Sequence, residues 1–308
     1  MIYVQSIKSA VLPVAFIIGI VFYKYMNMVT FLSPYLLFAM LFFTYCRLDL
    51  KKMRLGRFEW TMLTAQMALA ALCYFGLLCI DHTVAEGVFL CVYIPTATAA
   101  PVITAMLGGS IARVASYSLL CNVFVALTGP VILAIIGDNA DMSFAKSFGL
   151  ITMKVFPLLI GPIVGAWALK RFFKKAHQKI VDNQSISFYL WAVALIIIVG
   201  SCVSFVINNW KPELTFNMSL LALGALFACL IQFKTGRFIG SRFAETVTGG
   251  QSMGQKNTVL AVWLAMTYMN PVSSIAPAAY IAWQNIINSW QLIRHNSHHK
   301  DHILKTKV

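Results

Sequence analysis

The chain has 308 residues, of which 59% are hydrophobic and 11% charged, and its formal net charge is +14. So few charges cannot cover the surface of a soluble protein of this size, and the composition therefore predicts an integral membrane protein. The basic residues fall in short segments between apolar ones, where such residues set the orientation of a membrane protein. No nucleic acid is therefore expected as a partner.

Ten apolar segments are long enough to cross a bilayer, which takes about 20 residues in a helix. In chain order they cover residues 9–24, 29–46, 60–80, 85–107, 110–136, 147–169, 187–208, 217–236, 243–268 and 271–292. The first is expected to be a spanning helix rather than a removed signal, because no small-residue cleavage site follows it. The predicted fold is an all-α polytopic membrane protein with ten transmembrane helices.

A cytoplasmic N-terminus places nearly all the basic residues on the cytoplasmic side, in agreement with the positive-inside rule. The exceptions are Lys24, Lys146 and Lys211 on the outer side and Lys154 and Lys256 within spans. We therefore expect a multi-pass protein of the plasma (inner) membrane with both termini in the cytoplasm. Residues 293–308 would form a basic cytoplasmic tail.

The predicted spans divide into two sets of five, at residues 1–137 and 147–292. An odd number of spans turns the second set upside down relative to the first. The sequence therefore predicts two inverted repeats within a single transporter unit, residues 1–308.

Spans 4 and 9 occupy matching positions in the two halves, and both are interrupted where a membrane helix is normally continuous. In span 4, Pro95 and Pro101 each remove a backbone donor and clash with the preceding turn, so the helix is expected to open between them. In span 9, three glycines and six polar side chains lie between Thr248 and Asn257. Paired interruptions of this kind point to the binding site of a secondary transporter, because unwound backbone in a membrane must line a cavity or be buried in protein.

The cysteines predict neither disulfides nor a metal site, because their number is odd, no C-x-x-C spacing occurs and most lie inside apolar segments. We interpret them as buried structural thiols. They are Cys46, Cys73, Cys79, Cys91, Cys121, Cys202 and Cys229.

Several short motifs, in this order along most of the chain, resemble the bile acid:sodium symporter family, including its more distant bacterial and plastid members. They are Ala65-Gln66 in span 3, Pro95 to Ala100 followed by Gly108-Gly109, Leu127 to Pro130 in span 5, and Met253 to Asn257 followed by Leu260-Ala261. The resemblance implies a panel domain of spans 1, 2, 6 and 7 and a core domain of spans 3–5 and 8–10, in which the two breaks cross. It also implies alternating access and an organic anion, either bile-acid-like or a smaller carboxylate, as substrate.

The residues that bind sodium in coupled members of that family are mostly replaced in this chain. The aligned positions are Gln66 for a glutamine in span 3, Ala100-Pro101 for a Ser-Asn pair, Val114 and Ser118 for hydroxyls in span 5, Ser252 for a glutamate and Lys256 for a second glutamine. Sodium requires several oxygen ligands, and an ammonium at the same place repels it. These replacements argue against sodium coupling.

Lys256 is the strongest candidate for a functional residue, because an ionisable side chain within a span is costly unless it is paired or hydrated. Our hypothesis is that its ammonium replaces the bound cation and attracts an anionic substrate. Carbonyls of the breaks and the side chains of Gln66, Ser252 and Gln255 would hold it. Loss of its proton would couple transport to H+, so Na+ and H+ are both retained as candidate coupling ions. The alternative is that Lys256 extends along its helix to the cytoplasmic side or is a static brace.

The predicted substrate or ion site at the helix crossover contains Gln66, Pro95, Thr96, Thr98, Pro101, Ser118, Asn122, Gln251, Ser252, Gln255, Lys256 and Asn257. Lys154, just before Pro157 in span 6, contacts substrate from the panel side or satisfies carbonyls that the proline frees. Asn122 lines the site or bonds to a neighbouring helix. Apart from the coupling ion, no metal and no cofactor are predicted.

Three other functions fit the sequence less well. A sodium/proton antiporter needs acids at the crossing, whereas the acidic residues lie near loops or span ends. An arsenite carrier of similar fold places a cysteine directly at the first break, whereas Cys91 precedes Pro95 by about one turn. A membrane enzyme needs a nucleophile with a base, paired carboxylates or metal ligands within the membrane, and the histidines lie in predicted loops or the tail.

The sequence thus predicts a secondary active transporter and not an enzyme. Its expected partners are a small organic anion and the lipid bilayer, with no obligate protein partner. An ordinary sodium-coupled symporter and a non-transporting sensor or scaffold are the alternatives.

Overall fold

The computed structural model describes residues 14–305 apart from 16, 48–52, 54, 98, 138–142, 184, 210, 211 and 213. Nearly all of these residues are helical, and this part of the chain contains no β-sheet. The helices are α1 (Tyr23–Met28), α2 (Ser33–Cys46), α3 (Arg57–Leu78), α4 (His82–Tyr93), α5 (Ala100–Met106), α6 (Ile111–Ile136), α7 (Phe144–Phe172), α8 (Lys174–Asp182), α9 (Ser185–Asn209), α10 (Leu214–Ser241), α11 (Thr246–Gly254), α12 (Thr258–Tyr268) and α13 (Ile275–Lys305). Residues 17–21 are helical as well, and 3-10 turns cover Thr30–Leu32 and Pro271–Ser274.

Five helical stretches among the described residues are long and apolar enough to cross a bilayer by themselves. They are Arg57–Leu78, Ile111–Ile136, Phe144–Phe172, Tyr189–Asn208 and Thr215–Ser241. Shorter apolar helices, among them α4 and α12, lie beside them. This composition agrees with an all-helical membrane protein, while the total of ten spans stays a prediction.

Apolar side chains cover much of the outside of the molecule, and polar ones are buried within it. Leu72, Phe75 and Phe227 are examples of large exposed apolar residues, whereas Gln66 and Gln232 are completely buried. This distribution suits a protein surrounded by lipid, where polar groups must find their partners inside.

The helices pack in two groups. In one group α9 contacts α1 and α2, and α2 also contacts α7. In the other α10 contacts α11, α4 and α13, and α3 packs along α4. Helix α6 contacts α7 and α11, so it links the two groups.

The interruption of span 9 is shorter than the sequence predicted. Residues Thr246–Gly254 are helical, so the glycines do not unwind the chain. Glycines allow α10 and α11 to pack closely instead. A β-carbon on Gly249 of α11 would overlap the carbonyl oxygen of Gly236 on α10, and a β-carbon on Gly240 of α10 would overlap the carbonyl oxygen of Glu245. Small residues at such contacts let membrane helices approach each other closely.

The last helix is longer than the predicted span. The sequence placed the end of span 10 at residue 292, whereas helix α13 continues to Lys305; the cytoplasmic tail at residues 293–308 stays a prediction. No proline or glycine follows Pro277 in this stretch, so nothing ends the helix where its apolar pattern ends. A further helix, α8, lies where a loop between spans 6 and 7 was expected.

Candidate ion and substrate site at the helix crossing

Two unwound segments meet where α4 gives way to α5 and α11 gives way to α12. Thr96 and Lys256 pair there in an antiparallel bridge. The amide of Ala97 donates to the carbonyl of Gln255 at 3.0 Å, and the amide of Asn257 donates to the carbonyl of Pro95 at 2.9 Å. The two breaks therefore satisfy part of each other's backbone, as buried backbone in a membrane must.

The Lys256 side chain lies at the carboxyl end of α4. Its ammonium donates to the carbonyls of Val92 at 2.9 Å and Ile94 at 3.0 Å, and the residue is only 1% exposed. A helix carboxyl end carries partial negative charge, so a cation is stabilised there. The interpretation in which Lys256 extends to the cytoplasmic surface is therefore wrong.

Lys256 has no ion-pair partner among the described residues. The recorded ion pairs join Arg113 to Glu59 and Glu245, and His82 to Glu86. Among the described residues the ammonium bonds to backbone carbonyls and to no carboxylate, and a buried positive charge of this kind attracts an anion.

Gln66 contributes to the same end of α4. Its amide nitrogen donates to the carbonyls of Tyr93 at 3.0 Å and Ile94 at 3.2 Å, and its oxygen accepts from the Tyr117 hydroxyl. Gln66 thus shares the Ile94 carbonyl with Lys256 instead of binding the ammonium. The hydrogen bonds of the ammonium go to carbonyls and not to the side chains of Gln66, Ser252 or Gln255.

The other predicted residues of the two breaks bond to nearby backbone or to neighbouring polar side chains. The Thr96 hydroxyl donates to the Ser252 carbonyl at 2.7 Å, and the Asn257 side chain caps α12 by accepting from the Leu260 amide at 3.3 Å. Gln255 donates to Gln251. Gln251 in turn donates to Gln291 of α13 at 2.7 Å.

A small cavity of about 10 Å³ lies between α2 and the first break. Its predicted members are Pro101, Ser118 and Asn122, and α2 contributes Leu41, Thr44 and Tyr45. A cavity of this size holds about one water molecule. The Asn122 amide donates to the Ser118 carbonyl at 2.7 Å, while the Asn122 side-chain oxygen and the Tyr45 hydroxyl are buried without a partner in the described chain.

One predicted site residue, Lys154, is not part of this assembly, and another, Thr98, cannot be placed in it. Lys154 is exposed on α7 and does not line the cavity. Thr98 lies outside the described residues.

Sequence reasoning missed several polar residues that support the crossing. The Gln232 amide donates to the Cys91 carbonyl at 3.2 Å and to the Tyr280 hydroxyl at 2.9 Å. The Tyr280 hydroxyl donates to the Gly254 carbonyl at 2.9 Å, and Gln284 accepts from the Lys256 amide at 2.9 Å. The two glutamines could have been found from the sequence, because a glutamine within an apolar span needs a buried partner.

A second missed cluster lies where α3, α6 and α11 begin. The Arg113 guanidinium lies 3.3 Å from a Glu59 oxygen and 3.0 Å from a Glu245 oxygen. The Thr248 hydroxyl donates to Glu245 at 2.5 Å and accepts from the Ser110 amide at 2.9 Å. The cluster joins the starts of α3 and α11 to the start of α6, the helix that links the two groups.

No family model matches the chain. An uncharacterized sodium-dependent transporter of Bacillus subtilis (strain 168), YocS, is 22% identical to it over 233 residues, which cover 73% of this chain and 69% of that protein. The chain is thus similar to a bacterial protein of that description over most of its length.

Proposed function

We propose that the protein is a secondary active transporter of an organic anion, in which Lys256 takes the place of a coupling cation. The observation that carries this proposal is the buried ammonium on the Val92 and Ile94 carbonyls, without a carboxylate partner among the described residues. Similarity to a protein described as a sodium-dependent transporter supports a transport role. The order of the motifs supports membership of the bile acid:sodium symporter family.

The proposed architecture has ten spans in two inverted repeats, residues 1–137 and 147–292. The panel domain contains spans 1, 2, 6 and 7 and the core domain spans 3–5 and 8–10. The packing of α9 against α1 and α2, and of α2 against α7, supports the first group, and the packing of α10 with α4, α11 and α13 supports the second. The proposed setting is the plasma membrane with both termini in the cytoplasm.

The proposed substrate enters between α2 and the first break. The cavity there has room for about one water, whereas small-molecule pockets measure roughly 300–1,000 Å³. Substrate binding therefore requires α2 to separate from α5 and α6, which is the movement that alternating access needs. The unpartnered Asn122 oxygen and Tyr45 hydroxyl are proposed to bind polar groups of the substrate.

The position of Lys256 argues against a bound sodium ion at this end of α4. Sodium would need the carbonyls of Val92 and Ile94, which accept from the ammonium, and two cations in contact repel each other. The proposed carrier therefore works without sodium, by exchange or with H+. Ordinary sodium symport is the second candidate, because the similar bacterial protein is described as sodium-dependent.

Thermal unfolding of the purified protein in sodium chloride and in choline chloride at equal ionic strength tests this choice. A ligand that binds only the folded state stabilises it, by about 2.7 kcal/mol at 100 times its dissociation constant. We expect equal midpoints in the two salts. A sodium-specific rise would mean ordinary sodium symport and would leave Lys256 as a brace.

Uptake into proteoliposomes tests the role of the ammonium directly. In Lys256→Met we expect uptake and exchange of labelled carboxylates, a bile acid among them, to be lost, because the charge that attracts the anion is absent. Lys146→Met, which removes an exposed lysine, should transport like the parent. Unchanged transport by Lys256→Met would refute the proposal, and a parent that exchanges no carboxylate would favour the sensor or scaffold.

A further inference from the structure

Helix α13 buries a row of polar side chains along one of its faces. The row consists of Tyr280, Gln284, Asn288 and Gln291, none of which is more than 8% exposed. Their spacing of three or four residues places them on one side of the helix, with neighbouring members about 5–6 Å apart. Elsewhere on α13 the apolar side chains of Ile286 and Trp290 are exposed. The helix thus turns this polar row toward protein and its apolar side toward lipid.

One end of the polar row reaches the helix crossing. The Tyr280 hydroxyl accepts from the Gln232 amide nitrogen at 2.9 Å, and the same nitrogen donates to the Cys91 carbonyl at 3.2 Å. The next carbonyl of α4, that of Val92, accepts from the Lys256 ammonium at 2.9 Å. The polar row therefore begins beside the carbonyls that hold the ammonium.

The other end of the polar row lies near the end of the predicted span. From Tyr280 to Gln291 the helix rises about 16 Å, at about 1.5 Å per residue. Arg294 follows Gln291 by about one turn and is exposed, with its guanidinium 5.5 Å from the centre of the Trp290 ring. Arg237 of α10 is close enough to Arg294 to interact with it electrostatically. Charged side chains at span ends lie at the aqueous boundary, and this end is on the side that the distribution of positive charge predicts to be cytoplasmic.

Two acceptors along the polar row are buried without a donor in the described chain. They are Oε1 of Gln232, which neighbours Tyr280, and Oδ1 of Asn288, which lies between Gln284 and Gln291. A buried acceptor without a donor is costly, and buried water molecules commonly supply the missing donor. Since each hydrogen bond spans about 2.8 Å, one water bridges polar groups about 5–6 Å apart, which is the separation of neighbouring members of the row.

We propose that the polar row of α13 binds a chain of water molecules through which the Lys256 ammonium exchanges a proton with the cytoplasm. The inference rests on the proposed function, in which Lys256 takes the place of a coupling cation. An Nζ–H bond breaks and the first water takes the proton, while the last water releases a proton to the cytoplasm. Nζ is left as a neutral amine. Asn288 is a positioning residue, because its oxygen orients a water and does not itself carry the proton.

Lys256 is the group in this region suited to carry the proton. The other titratable groups around the crossing are thiols and phenols, which are uncharged at neutral pH. They are Cys73 of α3, Cys91 of α4, Tyr117 and Cys121 of α6, Cys229 of α10 and Tyr280 of α13. The acid at the start of α11, Glu245, is held by Arg113 at 3.0 Å.

Two assays on the full-length protein in proteoliposomes separate proton movement from anion movement. A pH-sensitive dye inside the vesicles reports the proton flux that a carboxylate gradient drives. Exchange of labelled carboxylate at equal pH on both sides reports anion movement alone. Asn288→Leu removes the unpartnered oxygen at similar volume. The matched control is Asn285→Leu on the same helix, because the Asn285 amide already donates to the Ile281 carbonyl at 2.5 Å.

We expect Asn288→Leu to reduce the proton flux roughly tenfold, the equivalent of one lost hydrogen bond, and to leave carboxylate exchange near that of the parent. Asn288→Ser supplies an oxygen again and should recover most of the flux. Asn285→Leu should match the parent in both assays. An undiminished flux in Asn288→Leu, equal losses in the two leucine variants, or a loss of exchange parallel to the loss of flux would overturn the proposal.

Thiol labelling tests the water chain without transport. Asn288→Cys should react with a small, membrane-impermeant methanethiosulfonate roughly tenfold faster than Ala276→Cys, because a thiolate forms only where water reaches it. Ala276 lies on the same face of α13, beyond the crossing, and is completely buried. The parent gives the background from its native cysteines.

The outcomes distinguish the inference from the proposed function. Equal labelling of Asn288→Cys and Ala276→Cys would overturn the water chain, even in a protein that exchanges carboxylate. Carboxylate exchange without any proton flux in the parent would overturn the proton step and leave the proposed function intact. A parent that exchanges no carboxylate would refute the proposed function and the proton step together.

Discussion

The two breaks at the crossing are opened by different means. The first leaves residues 94–99 between α4 and α5 and contains Pro95, whose ring prevents a continuous helix. The second leaves only Gln255, Lys256 and Asn257 between α11 and α12 and has no proline. There the restart is set by Asn257, whose side chain caps α12.

The chemistry of the two breaks is complementary. The first break leaves carbonyls at the end of α4 without helical partners. The second break supplies the Lys256 ammonium, which donates hydrogen bonds to two of those carbonyls. A side chain from the second break thus binds the backbone at the first break. A substitution at position 256 therefore acts on the carboxyl end of α4, far from it in sequence.

The short helices α11 and α5 beside the breaks also differ in how many of their residues are buried. In α11 every residue from Thr248 to Gly254 is buried, whereas α5 buries only Ala100 and Thr104. The second break is therefore held on a packed helix. The first borders the cavity at which we propose that the molecule opens. We expect substitutions that loosen α11 to cost far more stability than substitutions in α5.

Arg113→Gln should give the largest loss of stability. Glu59 is completely buried, and removal of its cationic partner leaves a buried carboxylate uncompensated, at a cost of about 3 kcal/mol. The same change releases Glu245 at the start of α11. The free energy of unfolding in denaturing detergent measures the effect.

Two companions sharpen this prediction. Glu59→Gln in the Arg113→Gln background should recover part of the loss, because it removes the orphaned charge. Arg242→Gln changes an exposed arginine that lies over the Phe238 ring at 4.5 Å and should stay within about 1 kcal/mol of the parent. Equal losses of unfolding free energy in Arg113→Gln and Arg242→Gln would contradict the conclusion that the cluster anchors α11.

Gly249→Ala should give the next largest loss. Its β-carbon would overlap the backbone of Gly236 on α10, so α10 and α11 must separate, and overpacking of this kind costs about 1–3 kcal/mol. At Gly149 an added β-carbon meets nothing within 4 Å. Gly149→Ala should therefore be neutral or stabilising by up to about 1 kcal/mol. A stable Gly249→Ala protein would mean that α11 is free to shift.

Much of the fold follows from apolar length, and the breaks could be placed but not delimited. Pro95 marked the first break correctly, because proline acts on the backbone locally. The glycines between Thr248 and Gly254 misled the prediction, because a helical glycine in close packing and an unwound glycine look alike in sequence. Only the position of Gly236 on α10 distinguishes the two uses.

The candidate site shows the same division. Lys256 and Gln66 stood out as polar residues within spans, and both lie at the end of α4. Their partners could not be predicted, because they are carbonyls, which every residue has. Lys154 had the same signal and yet is exposed, since a one-dimensional pattern does not say which face of a helix turns inward.

Pro101→Ala should give the smallest effect of the series. Pro101 is the second residue of α5, where its fixed φ suits the helix and its missing N–H is not needed, so the change should cost less than about 1 kcal/mol, mainly through the freedom of the unfolded chain. The free energy of unfolding and carboxylate exchange should both stay near those of the parent. Because α5 resumes its helix after Pro95 has opened the chain, a large loss of stability would show that Pro101 also maintains the break and that the two prolines act together.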